Sequence, residues 1–351
     1  MHVPDGFLNA PTSIATGGIS AAVVGLALHR SRRELADAGP VRAGLTACFI
    51  FAAQMVNFPV AAGTSGHLLG GALAVALVGP WTAVLVMACV LIVQAFVFAD
   101  GGVTALGTNI LLMGIVTVAV ATGVSALVMR LAGGRRTAVP VAAGLAAFVS
   151  VPVAAAGFAL LYLIGGAAPI PAGMLAGAMV GTHLLIGIGE ALITAAVVAA
   201  VLARRPDLVR LAGVAGATPQ ATTAADGSVV LDPAAARATG TSASSGIGRR
   251  TLAVVLGVSA VVAGGISLLA SSSPDGLERV AGALGFESAA ADSPMAGSPL
   301  ADYGIAGLGA LGTTIAGLVG AAITLGVGLL VARLIRPRSV AAAPAESTTA
   351  H

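Results

Sequence analysis

Long apolar stretches, most of them close to 20 residues, alternate with short polar segments along the chain. A helix of about 20 apolar residues spans the roughly 30 Å of hydrocarbon in a bilayer. The pattern therefore predicts an all-α polytopic membrane protein. Gly79-Pro80, followed by Trp81, separates two of the shorter stretches. The nine predicted helices cover about residues 13–28, 43–60, 67–79, 81–99, 103–131, 138–164, 172–203, 251–270 and 305–332.

A change of composition after the seventh predicted helix divides the chain. Residues 206–248 are rich in Ala, Thr, Ser and Gly with scattered charges, which is typical of a flexible linker. We predict a seven-helix transmembrane domain over 1–205 and a cytoplasmic linker over 206–248. A two-helix domain with an external loop over 249–338 and a disordered tail over 339–351 complete the predicted organisation.

The composition indicates that lipid, not water, surrounds most of the chain. Of 351 residues 57% are hydrophobic and 9% charged, whereas a soluble domain carries about 25% charged residues. All 17 basic residues are arginines, and they cluster between apolar stretches, which argues against a nucleic-acid partner. A Walker A loop needs a lysine on the nucleotide phosphates. Because the chain has no lysine, any ATP that drives it must be hydrolysed by another subunit.

The arginine clusters predict on which side of the membrane each loop lies. Cytoplasmic loops carry an excess of Lys and Arg. If the first cluster is cytoplasmic, and 67–99 counts as two crossings or as a re-entrant hairpin, every later cluster falls on the same side. The amino terminus, His67 and the loop 271–304 then lie outside. The clusters are near Arg32, Arg135, Arg204, Arg249 and Arg333.

The opening MHVPDGFLNA lacks the basic start of a signal peptide, and we expect Met1 to be retained because the bulky His2 disfavours its removal. The Met1 amine, the His2 amide nitrogen and His2 Nδ1 are able to chelate one metal ion in a plane. His67 is the natural fourth nitrogen donor. Planar nitrogen donors favour Ni(II) or Cu(II) over tetrahedral Zn(II). The alternative is an accidental His2 near the start codon and an interfacial, purely structural His67.

MHVPDGFL, together with FAAQMVNFPVAAGTSGH at 51–67, resembles the substrate-binding membrane subunits of cobalt and nickel energy-coupling-factor (ECF) transporters, the CbiM/NikM family. The resemblance covers about 1–205. It implies Ni(II) or Co(II) as transported substrate, held by Met1, His2 and His67, in the plasma membrane of a prokaryote. PDGF is more similar to the nickel branch, because the cobalt branch more often has MEGF. The implied partners are a transmembrane coupling (T/Q) subunit and two ATPase (A/O) subunits.

A second stretch, SPDGLERVAGALGFE at 273–287, resembles the small accessory N component of these transporters, also called the PDGLE domain. This component is often fused after the substrate-binding subunit, so the resemblance explains the linker. In the family it assists metal loading or transport. Asp275 and Glu278 are able to attract cations outside the membrane, but a capped, solvated turn explains these two residues as well.

Several polar residues are candidates for supporting the metal ligands. Gln54 and Asn57 lie three residues apart on one face of the second predicted helix, where buried amides need partners. We expect them to fix the inserted terminus or the loop before the metal-binding histidine, in which Thr64 and Ser65 are further candidates. Ordinary helix–helix hydrogen bonds are the alternative. Asp5 is expected to brace the VPDG turn.

His183 and Glu190 lie seven residues apart, about 10 Å along one side of the seventh predicted helix. An acid inside an apolar span is costly and is a functional candidate, so we expect a polar core beneath the metal site. The alternatives for the whole chain are cobalt uptake for cobalamin synthesis, a metal sensor without transport, and an intramembrane zinc enzyme built on these two residues. The H-E-x-x-H string of zinc proteases does not occur.

Overall fold

The computed structural model describes residues 1–61, 63–215, 221–223, 229–231 and 247–335. Seven helices in this part of the chain are long and apolar enough to cross a membrane, which confirms the all-α polytopic fold. The helices are α1 (Ala10–Ala38), α2 (Pro40–Gln54), α3 (Gly71–Val78), α4 (Pro80–Val97), α5 (Leu106–Leu131), α6 (Val139–Gly165), α7 (Ala172–Arg204), α8 (Arg210–Ala215), α9 (Arg249–Gly264), α10 (Gly276–Leu284) and α11 (Gly309–Ile335). Two antiparallel strand pairs join β1 (Phe58–Pro59) to β2 (Ser65–Gly66) and β3 (Ala221–Thr223) to β4 (Val229–Leu231).

Helices α1–α7 form the first bundle, in which α3 is the most deeply buried element. All eight residues of α3 are buried, and a helix of eight residues is only about 12 Å long. It ends at Gly79, where a left-handed φ of 91° turns the chain into α4. A Cβ at Gly79 would lie 2.9 Å from the carboxyl carbon of Glu34, in the last third of α1. The segment 67–99 therefore reaches the far end of the bundle and returns through α4.

The first helix is longer than predicted. Asn9 caps it by accepting the Thr12 N–H at 3.0 Å, and Pro11 occupies its first turn, where a missing N–H costs nothing. The predicted end at residue 28 is wrong, because the helix continues through the arginines at 30–33 to Ala38. Apolar run length marks the part of a helix inside the hydrocarbon, and a helix is free to extend beyond it.

The second helix is shorter than predicted and ends at Gln54 instead of residue 60. Pro59 disfavours helical backbone angles at the residue before it. Phe58 and Pro59 instead form β1, which pairs with Ser65 and Gly66, so the helix has to end ahead of them. Asn57 therefore lies beyond the helix, and the prediction that it shares a helical face with Gln54 is wrong.

The start of the predicted linker is folded against the bundle. Residues 206–208 form a 3₁₀ turn and α8 follows. Leu208, Val209 and Ala212 are buried, so the prediction of a flexible linker is wrong for 206–215. Most of the remaining linker and the predicted tail at 339–351 lie outside the described residues.

The second unit packs on the first through small residues. Gly328 of α11 lies so close to α2 that a Cβ there would be 3.2 Å from the Cα of Gly44. A Cβ at Gly320 would overlap the ring of Phe51. Small residues let membrane helices approach closely. The loop between α9 and α11, which contains α10, covers the end of the first bundle at which the amino terminus lies.

Candidate metal centre

The first residues of the chain are inserted into the bundle as an extended segment. Met1 and Val3 are buried, with exposed fractions of 3% and 0%. The Asn109 side chain accepts the Val3 N–H at 2.8 Å and donates to the Val3 carbonyl at 3.1 Å, which fixes the segment as a strand partner would. A π-helical stretch begins directly after Asn109, a feature that is frequent at functional sites.

Asp5 and Gly6 turn the segment away from the site. The Asp5 carboxylate accepts the N–H groups of Val103 and Thr104 at 3.1 and 2.7 Å, and the Thr104 hydroxyl as well. Gly6 has a φ of +88°, and a Cβ there would lie 2.3 Å from the carbonyl oxygen of Ala289. Asp5 thus braces the turn and directs its oxygens to backbone donors.

The Met1 amine reaches the ring of His67. Its nitrogen donates to His67 Nε2 at 2.7 Å, while His67 Nδ1 donates to the Leu68 carbonyl at 3.0 Å. This arrangement leaves the lone pair of the imidazole on Nε2. Burial, with the neighbouring Met1 ammonium and His2, holds the pKa of His67 well below its ordinary value of 6.5. The ring is therefore neutral, which is the form that binds metals.

The His2 ring stacks on His67, with centroids 5.0 Å apart and planes inclined by 17°. His2 Nδ1 lies 3.2 Å from an Asp100 oxygen, and His2 Nε2 lies 3.2 Å from Gln94 Oε1. The Tyr303 hydroxyl donates to the other Asp100 oxygen at 2.5 Å. Burial lowers the pKa of His2, although Asp100 opposes the shift. Tyr303 of the second unit thus acts on the His2 ring through Asp100.

A chain of hydrogen bonds and one buried acid hold the loop that follows His67. Gln94 donates to Gln54 Oε1 at 2.8 Å, and Gln54 donates to the Leu69 carbonyl at 2.8 Å. The two carboxylate oxygens of Glu190 accept the N–H groups of Leu69 and Gly70 at 2.9 and 3.0 Å. Glu190 of α7 therefore lies beneath the loop and fixes its backbone.

His183 lies on the side of the site where α10 begins. Its Nδ1 donates to the Met179 carbonyl at 2.8 Å, and its buried Nε2 has no hydrogen-bond partner among the described residues. A Cβ at Gly276 would lie 3.0 Å from this Nε2. His183 thus faces the start of α10, whereas Glu190 faces the His67 loop, and the two side chains share no hydrogen-bond partner.

The loop before α10 brings a carboxylate to the amino terminus. Asp275 Oδ2 accepts from the Met1 ammonium at 2.6 Å and lies 4.0 Å from His67 Nε2. Asp275 also caps α10, in a capping box with Glu278. Burial alone would raise the pKa of the Asp275 carboxyl, but the Met1 ammonium beside it holds the pKa well below its usual range. This carboxylate is therefore ionised.

Two candidate supporting residues, Ser65 and Asn57, lie where the two units meet, and Thr64 lies in the turn beside them. The Ser65 N–H donates to the Pro274 carbonyl at 2.9 Å. The Asn57 carbonyl accepts the Ser271 N–H at 2.8 Å, so the backbone of Asn57, and not its amide, makes this contact. Thr64 closes the turn between β1 and β2 through its own backbone.

The structure brings Met1, His2 and His67 together, with Gln54 and Glu190 behind them. Among the described residues, no three His, Cys, Asp or Glu side chains are spaced to hold a metal ion. A metal ion bound here would therefore need donors other than these side chains, and the amine nitrogen of Met1 lies beside His67. Sequence reasoning missed three residues that contact this segment: Gln94, Asp100 and Asn109. Asp275 was singled out for attracting cations, but its contact with the Met1 ammonium was not predicted.

These features define a polytopic helical membrane protein whose amino terminus is buried among histidines. Residues 2–208 match the CbiM family, described as a cobalt uptake substrate-specific transmembrane region. Residues 249–337 match the PDGLE domain. The chain belongs to the CbiM family of nickel and cobalt transport proteins and carries a fused PDGLE domain, so it is a transport protein and not an enzyme.

Relatives include both fused and single-unit proteins. The "putative fused nickel transport protein NikMN" of Archaeoglobus fulgidus is 34% identical over 344 residues, which cover 96% of this chain and 99% of that protein. The "cobalt transport protein CbiM" of Sorangium cellulosum is 33% identical and covers 59% of this chain and 94% of that one. A crystal structure described as a truncated transition metal transporter has a TM-score of 0.52 and 27% identity, and covers 58% of this chain and 99% of that chain.

Proposed function

We propose that the chain is the substrate-capture subunit of an ECF-type importer and binds Ni(II) at the external face through Met1, His2 and His67. The observation that carries the proposal is the 2.7 Å contact between the Met1 nitrogen and His67 Nε2. Two nitrogen donors at right angles, each about 2.0 Å from a metal ion, stand roughly 2.8 Å apart. The pair therefore has the separation of neighbouring corners in a square-planar site.

Two further donors come from His2. Its amide nitrogen is covalently next to the Met1 residue, and its Nδ1 lies on the same side chain. In the structure Nδ1 faces Asp100. Metal binding then requires the amine and amide to lose protons and the His2 ring to turn from Asp100 toward the metal. Proton loss at these donors makes affinity fall in acid.

Nickel is the preferred substrate and cobalt the alternative. The opening PDGF supports nickel because it is more similar to the nickel branch. The fused two-unit arrangement supports nickel as well, because three fused relatives carry nickel in their names. Cobalt is supported by the single-unit relatives named as cobalt transport proteins. A planar set of four nitrogens matches the square-planar geometry that Ni(II) adopts with four donors.

The proposed division is a metal-binding unit over 1–205, a linker, and an accessory unit over 249–338. Energy has to come from other chains, because the sequence has no lysine for a Walker A loop. The proposed partners are a transmembrane coupling subunit and two ATPase subunits. The proposed orientation in the plasma membrane puts the amino terminus outside and the arginine clusters in the cytoplasm.

The decisive test extends the chain by one alanine before Met1. A start codon followed by Ala-Met-His yields this form, because the initiator is removed before a small residue. The extension keeps every side chain but turns the chelating amine into an amide. We expect nickel binding, measured by calorimetry on the detergent-purified chain, to collapse. The matched control adds one alanine after His351, and binding there stays at the native level. Unchanged affinity in the amino-terminally extended protein would refute the site.

A further inference from the structure

A cavity of about 480 Å³ lies at the end of the first bundle opposite the amino terminus. It is formed by the last third of α1, the start of α4 and α8. Its polar lining includes Arg30, Arg33 and Arg210, and Trp81 forms part of its wall. The Arg30 guanidinium lies 6.0 Å from the centre of the Trp81 ring, within the range of a cation–π contact.

The two acidic side chains near this cavity, Glu34 and Asp37, already have partners. Glu34 is buried, and its carboxylate accepts the N–H groups of Trp81 and Thr82 at 3.4 and 2.7 Å, which caps α4. Arg210 lies 3.6 Å from Asp37. Within the described part of the chain, neither Arg30 nor Arg33 has an acidic partner within 4 Å. The cavity thus holds two cationic side chains with unused donors.

The position of the cavity along α1 indicates where its ligand comes from. Arg30 follows Ala10, the first residue of α1, by 20 residues, which is about 30 Å of helix and matches the hydrocarbon thickness. Trp81 is of the residue type that concentrates at the membrane interface. The two arginines therefore stand at the depth of the lipid phosphates of the leaflet opposite the metal site.

One face of α1 joins lipid to the cavity. Positions 19, 26, 30 and 33 are spaced by seven, four and three residues, so they share one side of the helix. Ile19 and Leu26 on this face are 51% and 44% exposed, as expected for residues in contact with acyl chains. Leu26 also lines the cavity. A lipid with its tail along Ile19 and Leu26 would place its phosphate at Arg30 and Arg33.

We propose that this cavity binds the phosphate group of an anionic phospholipid. Basic pockets between membrane helices bind anionic headgroups, and each arginine near the surface contributes enough to make the preference measurable. With two arginines that have no acidic partner in the described part of the chain, the affinity for an anionic lipid exceeds that for a zwitterionic lipid about 30-fold. Free phosphate offers the same oxygens but lacks the tail that lies along Ile19 and Leu26.

Trp81 is the chain's single tryptophan, so tryptophan fluorescence, excited at wavelengths that tyrosine does not absorb, reports on this cavity alone. The full chain is reconstituted in phosphatidylcholine vesicles that contain a rising fraction of brominated phosphatidylglycerol, or of brominated phosphatidylcholine as comparison. We expect saturable quenching of Trp81 at a much lower fraction of phosphatidylglycerol. This comparison uses the native chain and needs no variant. Equal quenching by the two lipids overturns the proposal. An acidic segment of a partner protein would then be the alternative ligand of the cavity.

Two further arms identify the residues and the source of the phosphate. The R30Q/R33Q double variant should lose the preference, whereas R135Q/R136Q, with the same charge change at two exposed arginines outside the cavity, should keep it. Inorganic phosphate at millimolar concentration should leave the Trp81 emission unchanged. If inorganic phosphate changes the Trp81 emission and competes with phosphatidylglycerol, the cavity is a site for free anions. If R30Q/R33Q keeps the preference for phosphatidylglycerol, the two arginines do not bind the lipid. Either result overturns the proposal.

Discussion

Replacing Glu190 with glutamine tests whether α7 positions the metal-binding loop. The carboxylate accepts two backbone N–H groups, from Leu69 and Gly70, just after His67. Glutamine keeps the shape of the side chain but has only one acceptor oxygen. Its NH2 group would face the N–H of Leu69 or Gly70, and two donors cannot form a hydrogen bond with each other. At least one hydrogen bond to a charged acceptor is lost, at a cost of about 1.5–3 kcal/mol. Because the loop then no longer holds His67 in place, we expect nickel affinity to fall about 10–100-fold.

The chain contains a matched control at its other end. Glu34 is also buried and also accepts two backbone N–H groups, from Trp81 and Thr82, but it caps α4 far from the amino terminus. Glu34→Gln should lower the unfolding temperature about as much as Glu190→Gln and leave nickel affinity unchanged. Calorimetric titration with nickel and thermal unfolding of both purified variants separate the two effects. Native nickel affinity in Glu190→Gln, or an equal loss in Glu34→Gln, would refute the positioning role.

Three further outcomes are expected. Tyr303→Phe removes the hydroxyl that donates to Asp100, so Asp100 competes more strongly with nickel for His2 Nδ1. Nickel affinity measured by titration should then fall about tenfold, whereas Tyr162→Phe, at the chain's other tyrosine, should leave it unchanged. The pKa of His67 in the folded protein is below 6.5, so its contribution to stability is complete above pH 6.5 and is lost as the pH falls; the unfolding temperature of the metal-free protein should drop in mild acid, and less so for His67→Gln. Asp275→Asn removes the carboxylate at the amino terminus and should lower the unfolding temperature near neutral pH. Because the pKa of Asp275 is depressed in the folded state, this difference is present above pH 3.8 and disappears as the pH falls further. Equal effects of the two tyrosine changes, a flat profile for His67, or a native unfolding temperature for Asp275→Asn would contradict the respective argument.

The seven helices of membrane length, and their order, follow from apolar run length, because a bilayer sets that length. The short helices α8 and α10 were not predicted. The ends of the predicted helices do not follow from run length, since they depend on local contacts outside the hydrocarbon. The first helix continues through charged residues to Ala38, and the second stops at Gln54, ahead of the strand that contains Pro59. Asn57 was misplaced for this reason.

The candidate site could be predicted only in part. Met1, His2 and His67 are indicated by the chelating chemistry of a Met-His terminus and by the family resemblance. Gln94 and Asn109 carried a readable signal, since amides inside apolar spans need partners, but the sequence does not tell which partners those are. Asp275 lies 274 residues from Met1, and only the packing of the second unit brings the two together.

The amino terminus belongs to both units at once, because its nitrogen donates to His67 of the first and to Asp275 of the second. In the proposed mechanism this nitrogen binds a metal only after the ammonium has lost one proton, and Asp275 then loses its cationic partner. An unpaired buried carboxylate is strongly destabilising. The incoming divalent cation supplies the missing positive charge at the same place. Since metal capture and the seating of the accessory loop both act through one nitrogen, a change at Asp275 must alter both the stability of the metal-free protein and its affinity for nickel.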